Sequence, residues 1–403
     1  MTRPLRILTI GHSYCVALNR AVVREVARDP NFQVTVASPS YFFGDLRPIL
    51  MEPEPEGSPL AVVPLDTRFS RFVHVFRYDG AALAALIEKG DFDIVHAWEE
   101  PYIFAGYQIA QALKNSKARF CFRTAQSYVK HYPPPFGYFE RSVLNRAQAW
   151  IAGASLVFQA MLKRGFPEST GRVLNLAVDL TAFRPLSADE RSAVHTELAL
   201  TGPVIGYLGR LTKAKGLDTL MEAMDQIGGT RPWSLLLLGS GEYRDKIEKW
   251  AERQGWSDRV KIRLAKHAEV PAYLGSMDML VAPSRTMPNW REQFGRMIIE
   301  AFACGVPVLG SDSGEIPNVV GDGGQVVAEA DVAAWVDAIQ RLCDRPQERE
   351  ALSKRALARA QKYSVTTIAQ QYREFYTWLG NRPLESIARA QSPMMNPVKK
   401  GTA

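Results

Sequence analysis

The sequence has little cysteine and no long apolar run, and each absence excludes a class of protein. Only four of the 403 residues are cysteine, and none of them lies in a CxxC or similar metal-binding spacing. A disulfide framework and a zinc site are therefore not predicted. Uncharged apolar runs stay below the length of about eighteen residues that a membrane-spanning helix needs. The apolar segment from Leu5 to Ile10 is too short for the core of a signal peptide, so a cytoplasmic location is expected.

The charge of the chain is almost balanced, with 49 basic and 42 acidic residues and a formal net charge of +7. Apolar residues make up 46% and charged residues 23%, which excludes disordered and collagen-like proteins. The length predicts two domains of about 200 residues each. The basic surplus lies in residues 101–184, which contain eleven basic and three acidic residues. No recognition motif for nucleic acid accompanies it, so a nucleic-acid partner is not predicted.

Short apolar runs alternate with helical stretches in two series, which predicts two parallel α/β sheets. The first series has candidate strands at Leu5 to Ile10, Gln33 to Ser38, Asp93 to Trp98, Arg119 to Thr124, Trp150 to Ala154 and Arg172 to Val178, and its first candidate helix runs from Cys15 to Arg28. The second series has candidate strands at Val204 to Leu208, Ser234 to Leu238, Val260 to Leu264, Met279 to Ala282 and Val306 to Ser311. We therefore predict two Rossmann-like domains, 1–184 and 203–363, joined by a linker at 185–202. A helix over 364–381, whose aromatic residues suit packing back on the first domain, and a flexible tail, 382–403, are expected to follow.

The most informative segment contains two glutamates eight positions apart, Glu292 and Glu300. Its pattern predicts a helix from about Phe294, with Glu292 in the loop before the helix and Glu300 inside it. Gly295 allows a ligand to approach the backbone closely, and the amides at the start of the helix favour an anion. A carboxylate suits two neighbouring sugar hydroxyls. The alternative is that both glutamates lie on a solvated helix face, but the apolar neighbours of Glu300 favour burial.

A second segment leads from a predicted strand into a loop that contains Arg210 and Lys215. Open α/β sheets bind ligands at the carboxyl ends of their strands, and two cations there would bind a diphosphate and stabilise it as it leaves. Taken alone, the segment is equally consistent with a solvated surface loop. It is not a Walker A loop, because no Ser or Thr follows a lysine at the required spacing.

Together, these segments resemble the second domain of a family 4 glycosyltransferase, a retaining, nucleotide-sugar-dependent enzyme of the GT-B fold. The matching motifs are Gly209-Arg210-Leu211 followed by Lys215-Gly216, the pair Glu292 and Glu300, and the run EAFACGVPV that begins at Glu300. The resemblance is close over residues 204–376 and looser across the first domain. It implies transfer of a hexosyl unit from a UDP- or GDP-linked sugar to a hydroxyl of a glycan or lipid-linked glycan, with retained anomeric configuration. It also implies a role in cell-surface polysaccharide or glycolipid synthesis, with no cofactor and no metal.

The resemblance assigns roles to individual residues of the second domain. Arg210 and Lys215 would contact the donor phosphates, Glu300 would accept hydrogen bonds from the ribose, and Glu292 with the loop after it would hold the sugar. The base is expected near Leu264. The other residues expected to bind the donor are Gly209, Gly239, Gly241, Ala265, Gln293, Phe294, Gly295 and Arg296.

The first domain offers fewer candidates, and each has a structural alternative. Gly11 and His12 follow the first predicted strand, where His12 would either contact the donor sugar or phosphate or cap a helix. His96 lies at the end of another predicted strand and is either a catalytic residue of the cleft or a hydrogen-bonded strand-end histidine. Glu100 is the alternative catalytic residue at that point, and Gln126 is expected on the acceptor side.

Residues 101–146 contain seven basic residues and one acid, Glu140, among several aromatic residues. Basic and aromatic residues together suit docking on an anionic lipid surface, where an isoprenoid-linked acceptor would be presented. The alternative is a solvated face above a packed aromatic core. The expected location is therefore cytoplasmic with peripheral binding at the inner membrane face, and Lys130 is expected to face the acceptor.

Two other functions are compatible with such a fold, namely a nucleotide-sugar 2-epimerase and a non-catalytic module that binds a nucleotide sugar or glycan. An epimerase would need further acid and base groups, and the intact pair of cations and pair of glutamates favours transfer. The segment Asp91-Phe92-Asp93 spells a metal-binding DxD motif of another glycosyltransferase fold. Here it falls at a predicted turn between a helix and a strand, so no metal ligand is predicted.

Overall fold

The computed structural model describes residues 3–43 and 48–390, which divide into two compact units with boundaries at residues 175/176 and 368/369. The first unit combines the chain before residue 176 with the chain after residue 368. The first boundary precedes the one predicted at residue 184 because Val178 already belongs to the second unit. Its amide donates a hydrogen bond to the Tyr363 carbonyl at 2.8 Å, beside a short parallel bridge between Val178 and Ser364.

The first unit is built on a parallel sheet. Its strands are β1 (Leu5–Ile10), β2 (Phe32–Pro39), β3 (Tyr41–Phe43), β4 (Pro48–Leu50), β5 (Ala61–Leu65), β6 (Thr67–Arg68), β7 (Arg77–Tyr78), β8 (Ile94–Ala97), β9 (Arg119–Thr124), β10 (Ala149–Ala152) and β11 (Gly171–Val173). Its first five helices are α1 (Ala21–Ala27), α2 (Gly80–Lys89), α3 (Phe104–Ala112), α4 (Phe136–Arg146) and α5 (Ser155–Lys163). Within the described residues, the main sheet has the order β11-β10-β9-β8-β1-β2-β5, and β3–β4 and β6–β7 form separate antiparallel pairs.

The central strands are apolar because both faces of the sheet are covered. Every residue of β8 is buried, and so are the last four residues of β1, as expected for a parallel sheet between layers of helices. The helix predicted from Cys15 to Arg28 is shorter, since α1 begins at Ala21 after two 3₁₀ turns. The buried Arg20 side chain donates hydrogen bonds to the carbonyls of Tyr14 and Glu52, both at 2.5 Å, and so fixes these turns.

The second unit has its own parallel sheet. Its strands are β12 (Val204–Leu208), β13 (Ser234–Leu238), β14 (Val260–Arg263), β15 (Met279–Ala282), β16 (Val308–Ser311) and β17 (Gly324–Val327). Its helices are α6 (Ala188–Leu198), α7 (Leu217–Ile227), α8 (Arg244–Arg253), α9 (Val270–Gly275), α10 (Arg296–Ala303), α11 (Ile316–Val320), α12 (Val332–Asp344) and α13 (Pro346–Ala360). In the described residues the sheet order is β14-β13-β12-β15-β16-β17. The order reverses between β12 and β15, which makes the carboxyl ends of these two strands the natural place for a ligand.

Much of the segment predicted as a linker, 185–202, forms helix α6. The helix begins with a capping box, in which the Ser187 hydroxyl accepts from the Glu190 amide at 3.2 Å and the Glu190 carboxylate accepts from the Ser187 amide at 2.8 Å. The reciprocal hydrogen bonds satisfy amides that a helix start leaves without partners.

The chain returns to the first unit within helix α14 (Val365–Gly380) and ends its described part with α15 (Ile387–Ala390). Ile387 is buried, and its amide donates to the Ala147 carbonyl at 2.8 Å. Ordered structure therefore extends into the segment predicted as a flexible tail, and the rest of that prediction, residues 391–403, lies outside the described residues. No helix in the described part of the chain combines the length and hydropathy needed to cross a bilayer.

Candidate functional site

Backbone hydrogen bonds join the strand exits at the reversal point of the second sheet. The loop over residues 209–216 leaves β12, and within it the Leu211 amide donates to the Ser240 carbonyl after β13 at 2.8 Å. The Arg285 amide, after β15, donates to the Ala214 carbonyl of the same loop at 2.9 Å. The exits of three neighbouring strands are therefore fixed to one another before any side chain is considered.

A buried ion pair lies at this edge of the sheet. The Lys215 ammonium and a Glu292 carboxylate oxygen are 2.5 Å apart, and only 13% and 10% of the two side chains are exposed. The Ser284 hydroxyl donates to the same carboxylate oxygen at 3.1 Å, and the ammonium lies 4.8 Å from the centre of the Trp290 ring. The Glu315 amide donates to the Glu292 carbonyl at 3.0 Å, so both the backbone and the side chain of this glutamate are held. A fixed cation in partly dehydrated surroundings suits a polyanionic ligand.

Helix α10 begins at Arg296, later than the predicted start at Phe294, because Gly295 adopts a left-handed conformation with φ 82° and ψ 62°. No side chain caps the start of this helix, and the positive end of its dipole favours an anion. Glu300 lies in the second turn and is 9% exposed. Burial raises the pKa of its carboxyl, while the charge of Arg296 opposes that rise. A carboxylate in such surroundings favours ligands that donate hydrogen bonds to it.

The other residues expected to bind the donor lie on loops of the second unit. Gly209 follows β12, Gly239 and Gly241 follow β13, and Leu264 and Ala265 follow β14. The Arg210 side chain is exposed, and its carbonyl accepts a hydrogen bond from the Tyr207 hydroxyl at 2.6 Å. Gln293 is exposed, whereas the ring of Phe294 is buried against Tyr363, with 5.8 Å between ring centres. The Phe294 ring therefore packs in the core, and the loop presents only the backbone of this residue.

In the first unit, the candidate residues His12 and Gly11 lie beside the buried carboxylate of Glu99. The fully buried side chain of Glu99 accepts hydrogen bonds from the His12 amide at 2.7 Å, the His12 Nδ1 at 2.7 Å and the Tyr78 hydroxyl at 2.6 Å. The His12 ring stacks on Phe42 with 4.7 Å between ring centres. Because Glu99 fixes both the backbone and the ring, His12 is held in one orientation. Its position directly after a strand was the only signal of this role in the sequence.

We expect Glu99→Ala to lower the free energy of unfolding of the first unit by about 3 kcal/mol, because it leaves the buried Tyr78 hydroxyl without an acceptor and removes two hydrogen bonds to His12. Tyr78→Phe keeps the ring and removes one donor, so a loss of about 1 kcal/mol is expected. Urea denaturation followed by circular dichroism measures both changes. Equal losses in the two variants would show that Glu99 does not organise this cluster.

His96 and Glu100, the two catalytic candidates of the first unit, have structural contacts. The His96 Nδ1 is 2.9 Å from the Tyr376 hydroxyl, and burial together with the charge of Arg123 lowers the pKa of the imidazole to about 3. His96 is therefore neutral at neutral pH. The Glu100 carboxylate accepts hydrogen bonds from the Thr124 hydroxyl and the Ala125 amide, both at 2.7 Å, and burial raises its pKa. These contacts hold both side chains within the fold, and their catalytic roles stay predictions.

The acceptor-side candidates lie on the chain after β9, and both are half-buried. The Gln126 amide nitrogen is 3.5 Å from the Tyr102 hydroxyl, and the Lys130 ammonium lies 5.8 Å from the centre of the Tyr128 ring. These contacts leave an acceptor role for Gln126 and Lys130 as a proposal.

Several basic residues in the stretch expected to dock on a membrane are used inside the first unit. The buried Arg123 donates to the Leu174 carbonyl at 2.7 Å. Arg146 donates to the carbonyls of Leu113 at 3.0 Å and Ala118 at 2.7 Å. Guanidinium groups that bind backbone carbonyls are not available to lipid phosphates, which weakens the expectation that residues 101–146 form the docking surface.

The DxD-like segment has a structural role as well. Asp93 accepts hydrogen bonds from the Arg3 side chain and the Arg6 amide, both at 2.8 Å. Among the residues that the structure describes, no group of three or more histidine, cysteine, aspartate or glutamate side chains is arranged to hold a metal ion.

Two Rossmann-like units, each with a parallel sheet and helices, are the architecture of the GT-B fold. Residues 189–359 match the family model described as "Glycosyl transferases group 1". The resemblance inferred from the motifs is confirmed at this level.

The curated proteins to which the chain is similar include glycosyltransferases. The chain is 25% identical over 329 residues to a D-inositol 3-phosphate glycosyltransferase of Corynebacterium jeikeium, an alignment that covers 74% of this chain and 75% of the relative. It is 33% identical over 181 residues to a GDP-mannose-dependent monoacylated alpha-(1-6)-phosphatidylinositol monomannoside mannosyltransferase of Corynebacterium glutamicum, covering 43% of this chain and 47% of the relative. The second alignment thus spans less than half of that enzyme.

Among solved structures, the chain is similar to HepE of Anabaena in complex with UDP. The TM-score is 0.72 at 19% identity, and the alignment covers 93% of this chain and all of HepE. At this identity the likeness shows the fold, which is that of a GT-B glycosyltransferase.

Proposed function

We propose that the protein is a retaining glycosyltransferase that transfers a hexosyl unit from a UDP- or GDP-linked sugar to a hydroxyl of a glycan or lipid-linked glycan. The observation that carries this proposal is the buried pair of Lys215 and Glu292 at the reversal point of the second sheet. Parallel α/β sheets bind nucleotides at that point, and the loop there also carries Arg210. The family-model match over residues 189–359 and the fold agree with sugar transfer as the reaction class.

The cations act on the leaving group. When the bond between the sugar and the diphosphate breaks, negative charge accumulates on the diphosphate. Lys215 is fixed by Glu292 and by the Trp290 ring before the reaction, so its charge stabilises the transition state without a reorganisation cost. An ammonium has three donors, which allows it to keep Glu292 while it binds a phosphate oxygen. Arg210 and the amides at the start of α10 supply further positive potential.

The two glutamates divide the recognition of the donor between them. Glu300 is buried in the second turn of α10, and its two oxygens suit the neighbouring hydroxyls of a ribose. We assign the sugar to Glu292 and the loop after it. One Glu292 oxygen already binds both Lys215 and Ser284, which suits a positioning role for this carboxylate. We therefore favour attack by the acceptor on the same face as the leaving diphosphate over a covalent glycosyl-enzyme.

The acceptor and the location are inferred from analogy and chemistry. The similar enzymes named above act on an inositol phosphate and on a mannosylated phosphatidylinositol, both of which present ring hydroxyls. We infer an acceptor of the same kind, a glycan or a lipid-linked glycan, used in cell-surface polysaccharide or glycolipid synthesis. Such an acceptor is met by a cytoplasmic protein that binds peripherally at the inner membrane face.

The test is a panel of UDP- and GDP-hexoses, first in thermal-shift binding and then in transfer assays with a soluble glycan acceptor. We expect one donor to raise the melting temperature, because a bound ligand stabilises the folded state by mass action. Proton NMR of the product is expected to show the anomeric configuration of the donor. An inverted product would contradict the retaining mechanism, and release of a free epimerised sugar without acceptor would identify an epimerase.

A further inference from the structure

Exposed apolar side chains are concentrated in one part of the first unit. Phe69 and Phe72 are 57% and 64% exposed and lie on the loop between β6 and β7. The same loop and the β3–β4 pair carry the exposed side chains of Tyr41, Leu50, Val73 and Val75. The two segments touch, since the Thr67 hydroxyl donates to the Tyr41 carbonyl at 3.1 Å and the Arg71 guanidinium lies 4.6 Å from the centre of the Phe43 ring. An apolar cluster of this kind on a surface marks an interaction site.

The loop over residues 68–77, which we name the aromatic loop, is ordered. The amides of Val75 and Phe76 donate to the Phe72 carbonyl at 2.9 and 3.0 Å, and Phe76 is completely buried. The Phe104 amide, at the start of α3, donates to the His74 carbonyl at 3.1 Å. Phe69 adopts φ 61°, a left-handed conformation that is rare for a bulky residue. The fold thus presents these side chains to solvent on a fixed and locally strained turn.

The aromatic loop itself contains three arginines and no acidic residue. Arg68, Arg71 and Arg77 form no ion pair with any other described residue, although Arg77 lies 5.2 Å from the centre of the Phe69 ring. Arg68 and Arg77 are directly opposite each other in the β6–β7 pair, where like charges are unfavourable unless an anion lies between them.

Arg68 and Arg77 also line a surface pocket of about 460 Å³. The acids of this pocket have partners of their own, since Asp66 accepts from the Ser40 hydroxyl and Asp79 accepts from the Ala82 amide, both at 2.8 Å. Neither acid forms an ion pair with Arg68 or Arg77, so both guanidinium groups can bind a phosphate.

We propose that the aromatic loop docks on a bilayer that contains anionic phospholipid. Phe69, Phe72 and the two valines enter the interfacial layer, and Arg68 and Arg77 bind headgroup phosphates. Aromatic residues beside arginines are the composition that holds a peripheral protein at such an interface, since apolar burial and attraction to anionic lipid add together. The inference replaces residues 101–146 as the docking surface, and it rests on the proposed function only in that the acceptor is lipid-linked.

Sedimentation with vesicles tests the proposal. The full chain is expected to bind vesicles of phosphatidylcholine and phosphatidylglycerol, to ignore pure phosphatidylcholine, and to be released as salt screens the arginines. Phe72→Ser is expected to weaken binding about tenfold through lost apolar burial. Arg68→Gln with Arg77→Gln is expected to weaken it by at least about tenfold. Both variants alter exposed side chains, so melting temperatures close to that of the unchanged protein are expected.

Two matched controls complete the design. Leu384→Ser removes another exposed apolar side chain of the first unit, and Lys114→Gln with Lys117→Gln removes two exposed charges of the stretch 101–146. Neither is expected to change vesicle binding, and a loss in either control equal to that of Phe72→Ser would overturn the assignment. Equal binding of neutral and anionic vesicles would overturn it too. So would a dimer in sedimentation velocity that Phe72→Ser converts to a monomer, because the loop would then be an interface between copies.

The experiments distinguish a failure of the docking proposal from a failure of the proposed function. If Phe72→Ser loses vesicle binding but transfers sugar to a soluble acceptor at the rate of the unchanged protein, the aromatic loop serves docking alone, as proposed. If the full chain binds anionic vesicles but releases no nucleoside diphosphate with any donor, docking stands and the proposed function is contradicted.

Discussion

Lys215→Ala is expected to reduce the turnover of sugar transfer by at least about a hundredfold, the usual effect of removing one preorganised group that stabilises transition-state charge. The ammonium lies 2.5 Å from Glu292, at the edge where the donor diphosphate is proposed to bind. Release of nucleoside diphosphate in a coupled assay gives the rate. Lys213→Ala is the matched control, since Lys213 lies in the same short turn with an exposed side chain, and near-normal turnover is expected.

Lys215→Ala also leaves the Glu292 carboxylate without its ion-pair partner. The resulting loss of stability has to be measured separately from the loss of turnover. Removing one partner of a largely buried ion pair costs about 3 kcal/mol. Adding Glu292→Gln to Lys215→Ala neutralises the stranded charge and is expected to recover most of the stability but none of the turnover. If the double variant regains both, Lys215 has no direct part in catalysis.

The second large effect is expected for Gly216→Ala. Gly216 has φ 72°, and an added Cβ would lie 1.7 Å from the Pro283 carbonyl oxygen. The Pro283 backbone cannot move aside as easily as the tip of a flexible side chain. The added Cβ would therefore push the loops after β12 and β15 apart. We expect a loss of about 4 kcal/mol of stability from strain and overpacking together. Turnover should also fall, because Lys215 immediately precedes the glycine.

Gly255→Ala separates the two causes. Gly255 has φ 70°, and no atom lies within 4 Å of the position that a Cβ would take. Only the left-handed backbone then opposes the alanine, at a cost of about 1 to 2 kcal/mol. Thermal unfolding of both variants measures the difference. Equal losses would mean that the contact with Pro283 relaxes easily and that the two loops are not rigidly joined.

The strands of both sheets could be predicted because parallel strands covered on two faces are almost continuously apolar. Five strands have the bounds that the apolar runs predicted, namely Leu5–Ile10, Arg119–Thr124, Val204–Leu208, Ser234–Leu238 and Met279–Ala282. The spacing of the two glutamates also placed one before a helix and the other inside it. Local periodicity was sufficient for these features.

Local sequence patterns could not predict contacts between residues that are far apart in the chain. Lys215 and Glu292 are 77 positions apart, and only the closing of the sheet brings them together. The start of α10 was misplaced because a left-handed glycine, Gly295, delays the helix. Composition also could not distinguish an arginine that binds carbonyls, such as Arg146, from one without an ion-pair partner, such as Arg77.

The return of α14 to the first unit bears on the order in which the chain folds during synthesis. Residues 176–368 form a contiguous unit that can complete its core as soon as they leave the ribosome. The first unit emerges earlier but lacks Tyr372 and Tyr376, whose hydroxyls contact Arg123 at 3.1 Å and His96 at 2.9 Å in its interior. Burying His96 and Arg123 without these hydrogen-bond partners costs free energy. The first unit is therefore synthesised first but completes its folding last.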